Sequence, residues 1–373
     1  MTLKNNKKRT WILVAGVRPN FMKIAPLMHA LKDFPHITPL LVHTGQHYTQ
    51  NMSDLFFTEL EIPPPDINLN IGSGSHAVQT AEIMKAFETV LLQTEPELVI
   101  VVGDVNSTLA CALTTVKLHI KIAHVEAGLR SFDREMPEEI NRKLTDAIAD
   151  YLFITEPTAQ VNLENEGVSK EKIFYVGNTM VDTLLANLPK AEASDVLQRL
   201  GLEEKKYTLL TLHRPSNVDN KDELLNICKA LKEINAISPI VFPAHPRTLK
   251  QVQSFNIDLK DLIVVPPLGY LDFLKLSSSS IGVLTDSGGI QEELTVLGIP
   301  CLTLRENTER PITVELGTNQ IVGTNPVQIV NAFKTLYAQR EQPLKKVAIK
   351  FWDGKAAKRI IAILNTILLH AKP

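Results

Sequence analysis

The sequence predicts an α/β protein built from two doubly wound, Rossmann-like domains facing a central cleft. Three observations lead there. The chain has 373 residues, more than one ordinary domain and enough for two. Short, continuous apolar runs alternate along it with longer amphipathic stretches, the pattern of parallel strands covered by helices on both faces. The alternation breaks around residues 178–206, so the runs fall into two series rather than one barrel.

The first series is "WILVAG", "TPLLVH", "LVIVVG", "KIAHVE", "YLFIT" and "KIFYVG". At the break, "GNTMVDTLL" predicts a helix, with Thr179 and Asp182 at capping-box spacing. A polar stretch then leads to the second series: "YTLLTL", "PIVFPA", "LIVVP", "IGVLT", "PCLTL" and a weaker "QIVG". The tail "KAAKRIIAILNTILLH" carries Ile and Leu at helical spacing and predicts a packing helix. The expected domains are residues 1–180 and 181–355, with a terminal helix over about 356–373.

Composition narrows the function classes. Hydrophobic residues are 44%, charged residues 21% and the net charge is −2, so no polyanion partner is advertised and no nucleic acid is expected. Cys111, Cys228 and Cys301 lie far apart in apolar stretches, neither a disulfide framework nor a zinc spacing. The apolar run after the basic start is shorter than a signal peptide needs. No run approaches the roughly 18 residues of a membrane span, and a soluble, cytoplasmic protein is expected.

In doubly wound folds ligands bind beyond the carboxyl ends of the strands, and the unusual residues cluster there. "GVRPNFMK" follows the first strand: Pro19 suits a first helical position, and Arg18 and Lys23 add positive charge at a helix N-terminus, an anion site. "GDVNST" sets Asp104 at a strand end, either as a helix N-cap or as a reacting group. In "HVEAGLRSFDREMPEEINR", Pro137, Glu138 and Glu139 read as a helix start with carboxylates facing the dipole. Glu126, directly after apolar "IAHV", has no such role and is placed in the cleft. "LHRPSN" brings His213 and "PAHPR" brings His245, the latter read as structural. His43, His47, His124, His213 and Glu126 come from many loops without zinc-helix spacing, so no metal site is expected.

"TDSGGIQEE" is a strand-to-helix turn in which Ser287, Gly288 and Gly289 can offer bare backbone N–H groups to a diphosphate. Glu292 and Glu293 lie inside the helix and can point elsewhere, a carboxylate there serving to accept from ribose hydroxyls. "RENTERP" offers Arg310 as a counter-charge. A nucleotide diphosphate is the ligand these residues fit best; the absence of GxGxxG and of a P-loop disfavours bound dinucleotide and P-loop hydrolysis.

Taken in order, "GVRPNFMKIAPL", "TGQHY", "GDVNSTLA", "HVEAGLR", "PEEINR", "GNTMVD", "LHRPSN", "TDSGGIQEE" and "TERP" resemble the non-hydrolysing UDP-N-acetylglucosamine 2-epimerases, from about Gly16 to Gly323. The resemblance implies a glycosyltransferase-B-type architecture with the terminal helix packing back on the first domain. It implies nucleotide contacts at Arg18, Phe273, Ser287, Gly288, Gly289, Glu293 and Arg310, with Lys23 nearby. It implies acid–base carboxylates at Asp104, Glu126 and Glu138 and an active-site histidine at His213. It further implies a UDP-sugar substrate, no cofactor, and a homodimer.

The chain departs from many relatives at Pro215 and Ser216, in the loop after "GQHY" and in "GSGSHAVQT". Allosteric activation by UDP-N-acetylglucosamine is therefore expected to be weak or absent; a sigmoidal reverse rate curve relieved by traces of that compound would contradict this. The rivals are a C2-epimerase of another UDP-2-acetamido sugar, a hydrolysing epimerase, a glycosyltransferase of shared fold, and a sugar-nucleotide-binding regulator.

Overall fold

A computed structural model describes residues 9–45, 57–344 and 347–370 of the chain. They form two units, one comprising the chain up to Thr183 together with the segment from Lys350 onward, the other Leu184–Ile349.

The first unit holds a seven-stranded parallel sheet: β1 (Arg9–Ala15), β2 (Ile37–His43), β3 (Ile67–Asn68), β4 (Leu98–Val102), β5 (Lys121–Val125), β6 (Tyr151–Ile154) and β7 (Ile173–Tyr175). The strand order is β3-β2-β1-β4-β5-β6-β7. All five residues of β4 are buried, as expected for a central parallel strand covered on both faces. The covering helices include α1 (Arg18–Leu31), α2 (His76–Thr94), α3 (Asn106–Lys117), α4 (Pro137–Ile148) and α5 (Pro157–Asn165).

The second unit repeats the plan with six parallel strands: β8 (Thr208–Thr211), β9 (Ile240–Pro243), β10 (Ile263–Val265), β11 (Val283–Thr285), β12 (Cys301–Thr303) and β13 (Asn319–Ile321). Their order is β10-β9-β8-β11-β12-β13. In both sheets the order reverses beside the unit's first strand, between β1 and β4 and between β8 and β11. The loops leaving those strands diverge to opposite faces there, and the divergence opens the crevice where doubly wound folds bind ligands. Each of the twelve apolar runs read from the sequence supplies a strand; among the described residues only β3 escaped the reading, because two residues carry no periodicity.

The helix at the break, α6 (Thr179–Glu192), is entered through Asn178, whose side chain accepts from the Met180 N–H at 2.8 Å. The capping box expected from Thr179 and Asp182 is not formed. Asp182 instead accepts from the N–H groups of Ala356 (3.0 Å) and Ala357 (2.7 Å), the first residues of the terminal helix α15 (Ala356–His370). A carboxylate suits those orphan donors and the positive end of the dipole. The helix thereby belongs to the first unit.

Burial outweighs these two bonds and lifts the Asp182 pKa to about 6 from 3.8. A folded-state pKa above the unfolded one gives stability that is complete below the unfolded value and lost as pH rises through the folded one. Two pKa units correspond to about 3 kcal/mol. Asp182→Asn should therefore gain on the parent by a few degrees in Tm between about pH 4 and pH 7. A Tm difference that is flat with pH would refute this.

Candidate functional site

At the β1–β4 switch point, Asn20 ties the two loops together. Its Oδ1 accepts from the N–H groups of Gly16 and Val17, both at 3.0 Å, and its Nδ2 donates to the Val102 carbonyl at 3.2 Å. One helical turn on, Lys23 of α1 extends its ammonium to Glu126, Nζ to Oε2 at 2.6 Å, with both side chains buried. Gly103 makes room: a Cβ there would lie 2.8 Å from Lys23 Nζ. Glu126 has φ 72°, a conformation that costs non-glycine residues on the order of 1–3 kcal/mol and concentrates at functional sites. The strain is held in place by two bonds, the N–H groups of Glu126 and Ala127 both donating to the Phe153 carbonyl at 3.0 Å.

Asp104 does not cap α3. The cap position is Val105, without a side-chain bond, and the Asp104 carboxylate faces Arg142 of α4, Nη1 to Oδ2 at 2.5 Å. The adjacent glutamates of α4 separate cleanly. Glu139 is buried and accepts from the Ser131 N–H (2.9 Å), the Ser131 hydroxyl (3.1 Å), the Phe132 N–H (3.1 Å) and Arg142 Nη2 (2.7 Å). Burial alone would raise its pKa; the Ser131 bond and Arg142 hold it below the usual range. Glu138, half-buried in the first turn, has no hydrogen bond or ion pair with another described residue. Glu139 thus shapes the loop, a role Glu138 does not share.

His124 lies behind this site, fully buried. Its Nε2 donates to the Gly103 carbonyl at 2.8 Å, and its Nδ1 lies 2.6 Å from Asp146 Oδ1. Arg130 Nη1 completes the cluster at 2.8 Å from Asp146 Oδ2. Full burial works to raise the Asp146 pKa, but His124 and Arg130 bring it below its ordinary value. His124 and Glu126, two apart on one strand end, therefore do different work. His124 fixes the backbone at Gly103; Glu126 carries the carboxylate.

At the β8–β11 switch point, Asp286 gathers donors. Fully buried, it accepts from the N–H groups of His213 (2.9 Å) and Arg214 (2.8 Å), and its Oδ1 lies 3.0 Å from His213 Nδ1. Burial opposes its ionisation, yet His213 and these N–H groups hold its pKa below the usual range. The His213 side chain is 55% exposed.

The turn at Ser287 opens α12 (Gly288–Leu297). The Ser287 N–H, expected to be bare, donates to Thr285 Oγ1 at 3.0 Å, while its hydroxyl makes no cap bond. The N–H groups of Gly288 and Gly289 open the helix and have no intrahelical acceptor. Gly288 must be glycine, since a Cβ would lie 2.4 Å from Arg310 Nη1. Arg310 is buried between Glu309 (Nη1 to Oε1, 2.5 Å) and Glu292 (Nε to Oε1, 3.1 Å). Against the penalty of burial, Arg310, Arg305 and Arg214 push the Glu309 pKa well down. Glu293 accepts from the Tyr270 hydroxyl at 2.9 Å, and Phe273 is half-buried in the same helix as Tyr270, α11 (Tyr270–Ser279).

Asn20, Arg142, Asp146, Asp286 and Glu309 were not singled out from sequence. Asp286 carried a signal, an acid between an apolar strand and a glycine turn. His245 caps its own helix, Pro246–Ser254, through Nδ1 accepting from the Arg247 N–H at 3.2 Å. Ser75 caps α2 within "GSGSHAVQT", and Pro215 begins a short helix, Pro215–Val218. His47, the loop after it and the Arg18 side chain lie outside the described residues. Among the described residues, no group of three or more His, Cys, Asp or Glu could hold a metal, and no helix is long and apolar enough to cross a membrane.

Nearly the whole chain is similar to known proteins. A family model described as UDP-N-acetylglucosamine 2-epimerase matches residues 29–365. A UDP-N-acetylglucosamine 2-epimerase of Methanocaldococcus jannaschii is 45% identical over 363 residues, 95% of this chain and 98% of that one. The crystal structure of the M. jannaschii UDP-GlcNAc 2-epimerase in complex with UDP-GlcNAc and UDP superimposes with a TM-score of 0.90, covering 96% of this chain and 99% of that one at 45% identity. A UDP-2,3-diacetamido-2,3-dideoxy-D-glucuronate 2-epimerase of Pseudomonas aeruginosa is 40% identical over 357 residues, 95% of this chain and 98% of that one. With a family model over most of its length and a relative 45% identical over 95% of it, the chain belongs to the UDP-N-acetylglucosamine 2-epimerase family.

Proposed function

We propose that the protein interconverts UDP-N-acetylglucosamine and UDP-N-acetylmannosamine reversibly, without net hydrolysis. The observation that carries this reading is the division of labour between the two switch points. One concentrates carboxylates held beside their own cations, Glu126 with Lys23 and Asp104 with Arg142. The other offers a helix N-terminus fit for a diphosphate, with Glu293 beside it for ribose hydroxyls.

The chemistry needs both. C1 of a nucleotide sugar is an acetal carbon, so the C2 hydrogen is not acidic and direct removal would be very slow. Breaking the C1–O bond sends its electron pair to the diphosphate, and C1 becomes cationic in character. A base then takes the C2 proton, and the C2–H electron pair forms the C1=C2 bond of a glycal. Returning a proton to the other face of C2 and re-adding UDP at C1 gives the epimer. No electrons are gained or lost overall, so no redox cofactor is called for. The leaving diphosphate is stabilised by preorganised donors, here assigned to Gly288 and Gly289. Proton transfer at the two faces is assigned to Glu126, Asp104, Glu138 and His213. Glu138 has no ion pair with another described residue, and we assign it to proton transfer with the others.

By family likeness we place the enzyme in the cytoplasm as a homodimer, supplying a sugar nucleotide for cell-surface polysaccharide. The P. aeruginosa relative favours a second reading, in which the substrate is another UDP-2-acetamido sugar.

Incubation with UDP-N-acetylglucosamine alone, followed by separation of the products, tests the reading. UDP-N-acetylmannosamine should accumulate to equilibrium. Free UDP with free N-acetylmannosamine would indicate a hydrolysing enzyme, and turnover only on adding an acceptor would indicate a transferase. Turnover of a different UDP-2-acetamido sugar alone would select the second reading.

A further inference from the structure

We propose that Asp286 is a positioning residue that fixes His213 in the Nδ1–H tautomer, so that Nε2 is the proton acceptor presented to substrate. The assignment of His213 to the reacting site rests on the function proposed above; the tautomer itself rests on geometry alone. The two residues are 73 positions apart and meet where β8 and β11 lie side by side in the second sheet.

Asp286 is fully buried at the end of β11, and its carboxylate is filled from one side by the N–H groups of His213 and Arg214 and by Asn217 Nδ2 at 3.3 Å. Those bonds hold the backbone of residues 213 and 214 against the carboxylate and bring the imidazole within its reach. Its Nδ1 faces Oδ1 at 3.0 Å. An ionised carboxylate only accepts, so Nδ1 must carry the hydrogen. Nε2 of the neutral ring is then left with its lone pair. When Nε2 takes a proton, the imidazolium gains a buried negative partner, as in acid–base histidines backed by a carboxylate.

Asp286→Asn separates positioning from simple support. The amide oxygen can still accept from the two backbone N–H groups. Its NH2 now faces Nδ1 and donates to it, and the ring moves its hydrogen to Nε2. The test is long-range 1H–15N NMR of the histidine side chains at about pH 9, with His213 assigned by comparison with His213→Asn, alongside steady-state kinetics. In the parent, His213 should show the Nδ1–H pattern; in Asp286→Asn, the Nε2–H pattern. kcat should fall about 10²-fold or more, with KM changed less than threefold and the Tm near that of the parent.

An Nε2–H or mixed tautomer in the parent would overturn the proposal, and this arm needs no variant that folds. An unchanged tautomer or an unchanged kcat in Asp286→Asn would overturn it as well. If the parent shows the Nδ1–H form but turns over no UDP-sugar, the tautomer assignment stands and the proposed function fails.

Discussion

Replacing Glu126 with glutamine is expected to lower kcat by about 10²–10⁴-fold, the range typical for removal of a general acid–base group. The carboxylate is buried, lies 2.6 Å from Lys23 Nζ and is held at φ 72°. Glutamine keeps the volume but removes the charge, leaving the ammonium of Lys23 buried without its counter-charge. Stripping one partner from a buried pair costs about 3–5 kcal/mol, so lost activity could be confused with lost stability. The double variant Lys23→Met with Glu126→Gln separates the two. It should recover much of the Tm while remaining inactive. Recovery of activity with stability would show that Glu126 serves only to neutralise Lys23.

Gly288→Ala carries the second large effect. The added Cβ would meet the Arg310 guanidinium at 2.4 Å and Glu309 Oε1 at 2.6 Å. Neither can step aside freely, because Arg310 is buried between Glu309 and Glu292 and Glu309 is also held by Arg305 at 2.7 Å. Overpacking of this kind costs about 1–3 kcal/mol. The displaced residues lie against the first turn of α12, whose N–H groups are assigned to the diphosphate. UDP should bind at least about tenfold more weakly by calorimetry, a loss of about 1.4 kcal/mol. Undiminished affinity would remove α12 from the nucleotide site.

How far the sequence alone leads is clear from particular residues. Parallel strands are apolar throughout, so "LVIVVG" and "IGVLT" stand out without any partner being known. Residues placed directly after such runs, among them Asp104, Glu126, His213 and Ser287, become visible as strand-end chemistry for the same reason. The pairings were not legible. Arg142 meets Asp104 across 38 residues, His124 meets Asp146 across 22, and Asp286 meets His213 across 73. Such contacts are set by which strands and helices become neighbours, and local spacing carries no trace of that. Asp182 shows the error this invites. Its position three after Thr179 suggested a local cap, yet its carboxylate serves a helix that begins at Ala356.

The division of Glu138 from Glu139 is a second case. As adjacent residues in one first turn they are equivalent by local spacing, and only the family resemblance singled out Glu138. Helical geometry turns them about 100° apart, so Glu139 folds under the loop onto Ser131 and Arg142 while Glu138 does not. Glu138→Gln should accordingly lower kcat without lowering Tm, and Glu139→Gln should do the reverse first, lowering Tm through the loss of its Arg142 pair. Paired melting curves and initial rates would check both.

Loss and return of the C2 proton is the step on which the whole mechanism depends. Proton NMR of the enzyme with UDP-N-acetylglucosamine in deuterated water, with no acceptor added, observes it directly. Deuterium should enter C2 of both epimers as UDP-N-acetylmannosamine appears. Formation of the epimer with its C2 hydrogen retained would contradict the elimination mechanism.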